Sequence, residues 1–86
     1  MITPTINNNG SSIDDLIQPR IDAREAIHAA IDALLRATPN GRDYPGTGGV
    51  ERCVADRELH YARIKALKAI SDELLAEGVV IKTQGR

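Results

Sequence analysis

Apolar residues recur at helical spacing in two long segments of the chain, one on each side of a glycine-rich stretch. In the first segment, from Pro19 to about Ala37, they are Ile21, Ala23, Ile27, Ala30, Ile31, Leu34 and Leu35. Steps of three and four residues place such side chains along one side of an α-helix. Pro39 follows and cannot continue a helix. The pattern therefore predicts a first helix that ends just before Pro39.

The beginning of this helix has two interpretations. Ser12, followed three residues later by Asp15, approximates a capping box, which marks a helix start. Pro19 lacks a backbone N–H and disfavours helical geometry at Gln18. Either a short turn precedes a main helix that starts at Pro19, or one longer helix is kinked there. We expect the main helix to run from Pro19 to about Ala37.

A second helix is predicted from about Val50 to Glu77, with Gly78 as its C-terminal cap. Its pattern repeats every seven residues, as in a coiled coil, at Cys53, His60, Leu67 and Leu74, with Ile64 and Ser71 between them. Further apolar residues widen the stripe: Val50, Val54, Tyr61, Ile70 and Leu75. The second helix should therefore pack along most of its length.

Two helices joined by about ten residues make an antiparallel hairpin. The chain has 86 residues and one cysteine, Cys53, so neither a large core nor an internal disulfide stabilises it. One hairpin cannot cover both apolar stripes. The predicted fold is all-α: an antiparallel two-helix hairpin, with the first helix kinked or broken near Pro19, that assembles into a helical-bundle homo-oligomer, at least a dimer.

Three regions follow from this reading. Residues 1–11 are rich in Thr, Asn and Gly and predict a flexible N-terminal arm. Residues 12–78 form the helical hairpin domain. Residues 79–86 form a C-terminal tail whose β-branched residues could add a strand to another chain; we expect a packed or frayed tail instead.

Charge and hydropathy exclude several classes of function. The formal net charge is −1, so the basic face of a nucleic-acid-binding protein is not expected. No apolar run approaches the roughly 18 residues of a membrane span. Residues 1–11 lack the basic and apolar regions of a secretory signal. A lone thiol fits a reducing compartment. We therefore expect a cytoplasmic protein that binds neither nucleic acid nor membrane.

The glycine-rich stretch, residues 40–50, resembles a phosphate loop only in part. Gly41 and Gly46 have the required spacing, but Thr47 and Gly48 stand where Lys and Ser or Thr belong. The stretch also lies between two helices, whereas a phosphate loop follows a strand. An NTPase site is therefore excluded.

The same stretch can still form a small nucleotide site. Glycines before a helix free backbone N–H groups to face an anion. The predicted ligand-binding residues are Arg42 and Arg52 for phosphate, Tyr44 for base stacking, and Thr47 with Gly48 for phosphate or ribose. The alternative is that the stretch only reverses the chain, with Tyr44 covering the end of the hairpin and both arginines solvated.

Catalytic and metal chemistry has little support. His28 and His60 should lie at the same level of an antiparallel hairpin, but two histidines are too few for a metal site, and hydrogen bonding near the seam is the simpler role. Cys53 is expected as a buried small side chain. No nucleophile has an evident base and orienting partner. We expect a non-enzyme without cofactor or metal.

Two motifs carry a resemblance to known proteins. They are Ala37-Thr38-Pro39-Asn40-Gly41-Arg42-Asp43-Tyr44-Pro45 and Ala55-Asp56-Arg57-Glu58-Leu59-His60-Tyr61-Ala62-Arg63. With the helices around them, over about residues 13–77, the chain resembles small phage and prophage proteins. The expected hairpin oligomer is similar to phage sponge proteins that sequester cyclic-nucleotide or ADP-ribose-type immune signals between subunits.

This resemblance implies an anti-defence protein in the host cytoplasm that binds and sequesters such a signal. The alternative is a protein–protein interaction module that inhibits a host defence protein or a phage protein without a small ligand. The ligand-binding residues named above come from the chemistry of the loop, since none of the sponge proteins' binding residues is carried over.

Overall fold

The computed structural model describes residues 12–84. These residues form two α-helices, α1 (Ile13–Arg36) and α2 (Gly49–Gln84), joined by a loop that contains one short 3-10 turn, Gly41–Asp43. The two α-helices pack against each other as a hairpin. The all-α hairpin prediction is therefore confirmed, whereas assembly into an oligomer stays a prediction. The predicted arm, residues 1–11, lies outside the described residues.

Helix α1 begins with the predicted capping box. The Ser12 hydroxyl accepts a hydrogen bond from the Asp15 backbone N–H, and the Asp15 carboxylate accepts one from the Ser12 N–H, each at 3.2 Å. The helix then continues through Pro19 as one longer helix, the second of the two interpretations, so the expected start at Pro19 is wrong and the helix is not broken there. The cap holds the first turn, and Arg20 Nη1 donates to the Leu16 carbonyl next to the proline. One missing backbone hydrogen bond is therefore tolerated.

Helix α2 extends beyond its predicted end. It passes through Gly78 to Gln84, so Gly78 is not a cap, and residues 79–84 of the predicted tail are helical. A glycine inside a helix costs roughly 1 kcal/mol relative to alanine. Ile81, one heptad after Leu74, has no exposed surface. Burial of an isoleucine contributes roughly 1.5–3 kcal/mol, which exceeds the cost of the glycine.

The contact line between the two helices, called the seam below, has a different register from the predicted one. His60 Nε2 lies 2.5 Å from the Leu34 carbonyl, and His28 Nε2 lies 3.0 Å from the Ser71 hydroxyl. The two histidines therefore do not meet, contrary to the prediction. The prediction centred the hairpin inside the loop, but the loop folds over the start of α2, where Arg57 Nε donates to the Pro39 carbonyl at 2.8 Å.

The core of the described hairpin is small and partly polar. Cys53, Ile64 and Ile81 are its buried hydrophobic residues, with His60, Ser71 and Glu77 buried beside them. These lie on the predicted heptad side of α2, with Leu67 and Leu74 half-buried. Large apolar residues at the edges of the stripes stay exposed: Ile21, Leu35, Val50, Val54, Leu59, Tyr61, Ile70, Leu75, Val79 and Val80.

The hairpin is also elongated. Its radius of gyration is 19.1 Å, whereas a compact domain of this length has roughly 12 Å. Its two shorter dimensions are 18 and 16 Å, the width of two helices side by side. Two layers of side chains meet at one seam only, which explains why so much apolar surface remains uncovered. No helix within residues 12–84 is long and apolar enough to cross a membrane.

Candidate functional site

The loop between the helices is held by short-range hydrogen bonds. The Asn40 side chain accepts from the Arg42 backbone N–H at 3.1 Å, and the Asn40 carbonyl accepts from the Asp43 N–H at 3.0 Å. Asparagine caps turns in this way because its short side chain mimics a backbone acceptor. The resulting 3-10 turn places Tyr44 at its end, where the Tyr44 N–H donates to the Gly41 carbonyl.

Arg52, in the first turn of α2, reaches back to the loop. Its Nη1 donates to the Thr47 carbonyl at 3.1 Å and its Nη2 to the Pro45 carbonyl at 3.0 Å. Both terminal nitrogens of the guanidinium group therefore bind loop carbonyls. The planar group that the sequence suggested for phosphate is engaged in fixing the conformation of the loop.

Tyr44 is tied to α2 through its hydroxyl group. The phenol donates to Asp56 Oδ2 at 2.6 Å. This hydrogen bond to a carboxylate is the main reason that the pKa of Tyr44 is raised from 10.0 to about 12, and the negative charge of Asp56 acts in the same direction. Tyr44 thus holds the turn onto the second helix, which is the covering role that the alternative interpretation assigned to it.

Glycine is required at two kinds of position in this loop. Gly46 and Gly48 have φ values of 86° and 79°, which other residues rarely adopt. Gly49 lies so close to the preceding turn that an added Cβ would stand 1.9 Å from the Tyr44 carbonyl oxygen. The glycines are therefore explained by the geometry of the turn, apart from any ligand.

The structure brings most of the predicted ligand-binding residues into one turn. Thr47, Gly48 and Arg52 are in contact, and Tyr44 lies beside them. Arg42 stands in the 3-10 turn, and its guanidinium group has no hydrogen-bond partner within residues 12–84. Binding of a nucleotide by these residues stays a prediction. Of the two arginines, Arg42 is the one whose guanidinium is not bonded to the described part of the chain.

A second group of polar residues, which the sequence analysis did not identify, lies in the seam near the helix ends. Arg20 Nε donates to Glu77 Oε1 at 2.7 Å, and its Nη2 is paired with the same oxygen. Arg24 Nε donates to the Ser71 carbonyl and lies 3.2 Å from the Ser71 hydroxyl, which also contacts His28. The available signal was the four-residue spacing of Arg20 and Arg24 between apolar residues of α1.

This polar seam is fully satisfied. Within residues 12–84, no buried side-chain nitrogen or oxygen lacks a hydrogen-bond partner. The buried imidazole of His60 is bonded to the Leu34 carbonyl, and Cys53 is buried as expected. The same part of the chain contains no group of three or more His, Cys, Asp or Glu side chains that could hold a metal ion. The seam residues therefore serve to pair the two helices.

Exposed apolar residues form a third candidate surface along one side of the hairpin. Ile21 and Leu35 of α1, and Val54, Tyr61 and Leu75 of α2, follow one another at multiples of seven residues, just beside the seam positions. Each side chain is between 43% and 51% exposed. We call this surface the side face. A cavity of about 260 Å³ opens near its end, lined by apolar residues of both helices, among them Ile21, Leu75 and Gly78, and by the cationic side chains of Arg20, Arg24 and Lys82.

Comparison of the chain with protein-family models, with curated proteins and with solved structures gave no match in any of the three.

Proposed function

We propose that this chain is a non-enzymatic interaction module that works by packing its exposed helix surfaces against other protein chains, beginning with copies of itself. One observation carries the proposal. Within residues 12–84, three hydrophobic residues are buried, whereas ten large hydrophobic residues are exposed. Exposure of so many large apolar residues is typical of a protein that associates with other chains.

The composition of the seam supports this function. Beside the apolar Cys53, Ile64, Leu67, Leu74 and Ile81, the seam holds a set of polar residues: Arg20, Arg24, His60, Ser71 and Glu77. Such polar groups define the register of the helices but contribute little net stability. Within residues 12–84, ten large apolar residues lie outside the seam and contribute hydrophobic stabilisation only when a partner buries them.

Native mass spectrometry of the purified protein, together with light scattering over a range of concentrations, tests this function. We expect a homo-oligomer at micromolar concentration. The matched control is a variant in which three exposed apolar residues, Leu35, Tyr61 and Leu75, are replaced by glutamate, which should shift the protein to monomer. A wild-type protein that stays monomeric at tens of micromolar and retains no other chain from the cell would contradict the proposal.

The biological role that fits such a module best is inhibition of a host defence protein or another phage protein, in the host cytoplasm if the chain is phage-encoded. The acting surface would be whatever apolar area the oligomer leaves exposed. Purification from host lysate under mild conditions should then retain one specific partner in fixed stoichiometry. The glutamate variant serves as the control, since it should lose self-association and, with it, a partner that binds only the assembled oligomer.

A second function is sequestration of a cyclic-nucleotide or ADP-ribose-type immune signal at the loop. The observation that favours it is Arg42, whose guanidinium has no partner within residues 12–84 and stands in the same loop as Gly46 and Gly48, both at positive φ. Repeated by oligomerisation, this tip would provide several equivalent anion sites.

Isothermal titration against cyclic dinucleotides, cyclic trinucleotides and cyclic ADP-ribose isomers tests this second function. Arg42→Gln should abolish any binding, whereas Arg63→Gln, which changes the same charge on an exposed part of α2, should not. Absence of binding to every compound at tens of micromolar protein would exclude it, without affecting the interaction module.

A further inference from the structure

The side face has an internal symmetry. Along α1 it reads Ile21, His28, Leu35 and along α2 it reads Leu75, Lys68, Tyr61, each in steps of seven residues. The two series run side by side because the helices are antiparallel, and Ile21 and Leu75 line the same cavity. An apolar pair therefore lies at each end of the series, with one polar level, His28 and Lys68, midway between them.

The two apolar ends differ in shape. Around Ile21 and Leu75 the surface is hollow, because Gly78 has no side chain and an added Cβ there would have no atom within 4 Å. At the other end Leu35 and Tyr61 are slightly more exposed, 51% each against 43% for Ile21 and 47% for Leu75. A surface with the more exposed side chains at one end and a hollow at the other complements itself when a copy is turned end for end.

The dimensions of the side face suit a dimer. Val54 and Leu75 are separated by 21 residue steps along α2. At about 1.5 Å per residue this is roughly 32 Å, and the hairpin is 16 to 18 Å wide. Two copies would thus cover on the order of 550 Å² of flat area each, about 1,100 Å² together, which passes the roughly 1,000 Å² expected of a specific interface and lies below the roughly 1,200–2,000 Å² usual for stable complexes.

Charges beside α2 follow the same symmetry. Lys65 and Asp72 flank the Lys68 level on the outer edge of the side face, three residues before it and four residues after it. In an end-for-end pair, each Lys65 lies within one residue of the level of Asp72 of the other copy, so two attractive pairs form. On α1, Glu25 and Asp32 flank His28 at the same spacings, so two acidic pairs approach each other at the opposite edge and must keep their carboxylates in solvent. The two Lys68 side chains approach each other at the axis, where their long aliphatic stems allow the ammonium groups to diverge into solvent.

From these observations, and resting on the proposed self-association, we infer that the side face binds a second copy of this chain in an antiparallel, twofold-symmetric dimer. The axis passes at the level of His28 and Lys68. Helix α1 packs on α1 of the other copy and α2 on α2. Leu35 and Tyr61 of each copy enter the hollow beside Gly78 of the other, which completes a four-helix bundle with the loops at opposite ends.

Disulfide trapping of the full chain tests this arrangement. In a Cys53→Ala background, Lys68→Cys should form a disulfide-linked dimer under mild oxidation, because residue 68 faces its own counterpart across the axis. Tyr61→Cys and Leu75→Cys should each remain unlinked alone and become linked when the two variants are mixed. Ala69→Cys, which points away from the side face, is the control for random collision, and circular dichroism checks the fold of every variant.

Each alternative result has a distinct meaning. Failure of Lys68→Cys to link, with linking of a His28→Cys and Lys68→Cys mixture, would indicate loops at the same end and overturn the inference. Linking through Ala69→Cys would move the interface to another face and overturn it too. In both cases native mass spectrometry would still show a dimer, so the proposed function would stand. A monomer by native mass spectrometry would contradict both the proposed self-association and the antiparallel dimer.

A matched pair of leucines provides a second measurement without new thiols. Leu35 and Leu59 are both 51% exposed, but Leu35 belongs to the side face and Leu59 lies on another side of α2. Leu35→Ala should weaken the dimer about tenfold or more, as expected for a side chain that fills a pocket, whereas Leu59→Ala should leave dissociation unchanged. Equal effects of the two substitutions would overturn the inference.

Discussion

Replacing Arg20 with methionine should destabilise the hairpin considerably more than replacing its partner Glu77 with leucine. The Glu77 side chain is 5% exposed, and within residues 12–84 its carboxylate receives hydrogen bonds from Arg20 alone. The Arg20 side chain is 18% exposed and also donates to the Leu16 carbonyl. Removing Arg20 therefore leaves a buried charge unpaired, whereas removing Glu77 leaves a cation with a second acceptor and access to water.

The magnitudes follow from that asymmetry. Loss of one partner of a buried ion pair costs roughly 3–5 kcal/mol, and we place Arg20→Met near the lower end because the site is at the open end of the hairpin. Glu77→Leu should cost about 1–2 kcal/mol, the range for a buried polar group that loses one of its partners. The double variant, with an apolar pair in place of the ion pair, should return to within about 1 kcal/mol of the natural chain or exceed it.

Urea unfolding followed by far-ultraviolet circular dichroism measures these free energies, at one fixed protein concentration because self-association contributes to stability. A domain of this size has a total stability of roughly 4–13 kcal/mol, so Arg20→Met should visibly lower the midpoint. Arg63→Met, at an exposed position of α2, is the control. Equal losses for the two single variants, or a double variant whose loss is their sum, would refute the reasoning.

Two further predictions concern the loop. Gly49→Ala should lower the free energy of unfolding by about 1–3 kcal/mol, because the added Cβ would meet the Tyr44 carbonyl oxygen. Gly41→Ala has open space around the added Cβ and should stay within about 0.5 kcal/mol of the natural chain. Urea denaturation of the two variants compares these free energies. In a Tyr61→Phe background, ultraviolet titration should show the Tyr44 pKa at about 12, and Asp56→Asn should move it down towards 10.0. The pKa of Tyr44 in the folded chain lies above its value in the unfolded chain, so the Tyr44–Asp56 hydrogen bond stabilises the loop fully below pH 10 and this stabilisation is lost as pH rises through 12. An unchanged Tyr44 titration in Asp56→Asn would show that this hydrogen bond does not cause the raised pKa.

The sequence predicted the side of α2 that faces α1 because a period of seven residues specifies it directly. The buried Cys53, His60, Ile64 and Ser71 are the positions that the heptad pattern singled out. The pattern could not predict which edge residues of the two apolar stripes would be buried, because their burial depends on how many helices pack together. Val54 and Tyr61 widen the apolar stripe in the sequence, but in the hairpin they are exposed beside the seam.

Register and helix ends depended on contacts that no local pattern contains. The continuation of α1 through Pro19 is accompanied by a cap at Ser12, and the continuation of α2 through Gly78 is accompanied by complete burial of Ile81. A local reading gives proline and glycine their usual roles as helix breakers. Both interpretations failed for the same reason: a tertiary contact or a cap outweighs a propensity of about 1 to 3 kcal/mol.

The loop illustrates a different limit. The sequence predicted Arg52 for phosphate and Tyr44 for base stacking, but their hydrogen bonds go to the Pro45 and Thr47 carbonyls and to Asp56. The loop between the helices, residues 37–48, must satisfy its own backbone before it can bind anything else. The Arg42 guanidinium group has no hydrogen-bond partner within residues 12–84, so Arg42→Gln is the substitution that tests whether the loop binds a ligand.

The seam combines apolar residues with buried polar pairs, while large apolar residues stay exposed beside it, and this combination has a consequence for specificity. Buried polar pairs tolerate only one register, because any shift leaves a charge or a hydroxyl without a partner. Apolar side chains on the side face are less selective for geometry. The hairpin therefore has a seam that determines its own shape and an outer surface that provides the hydrophobic stabilisation on association. A chain built in this way folds to one register only if the polar pairs of the seam are intact. We therefore expect variants such as Arg20→Met to alter the association state as well as the stability of the hairpin. A shifted register would misalign Leu35 and Tyr61 with the hollow beside Gly78.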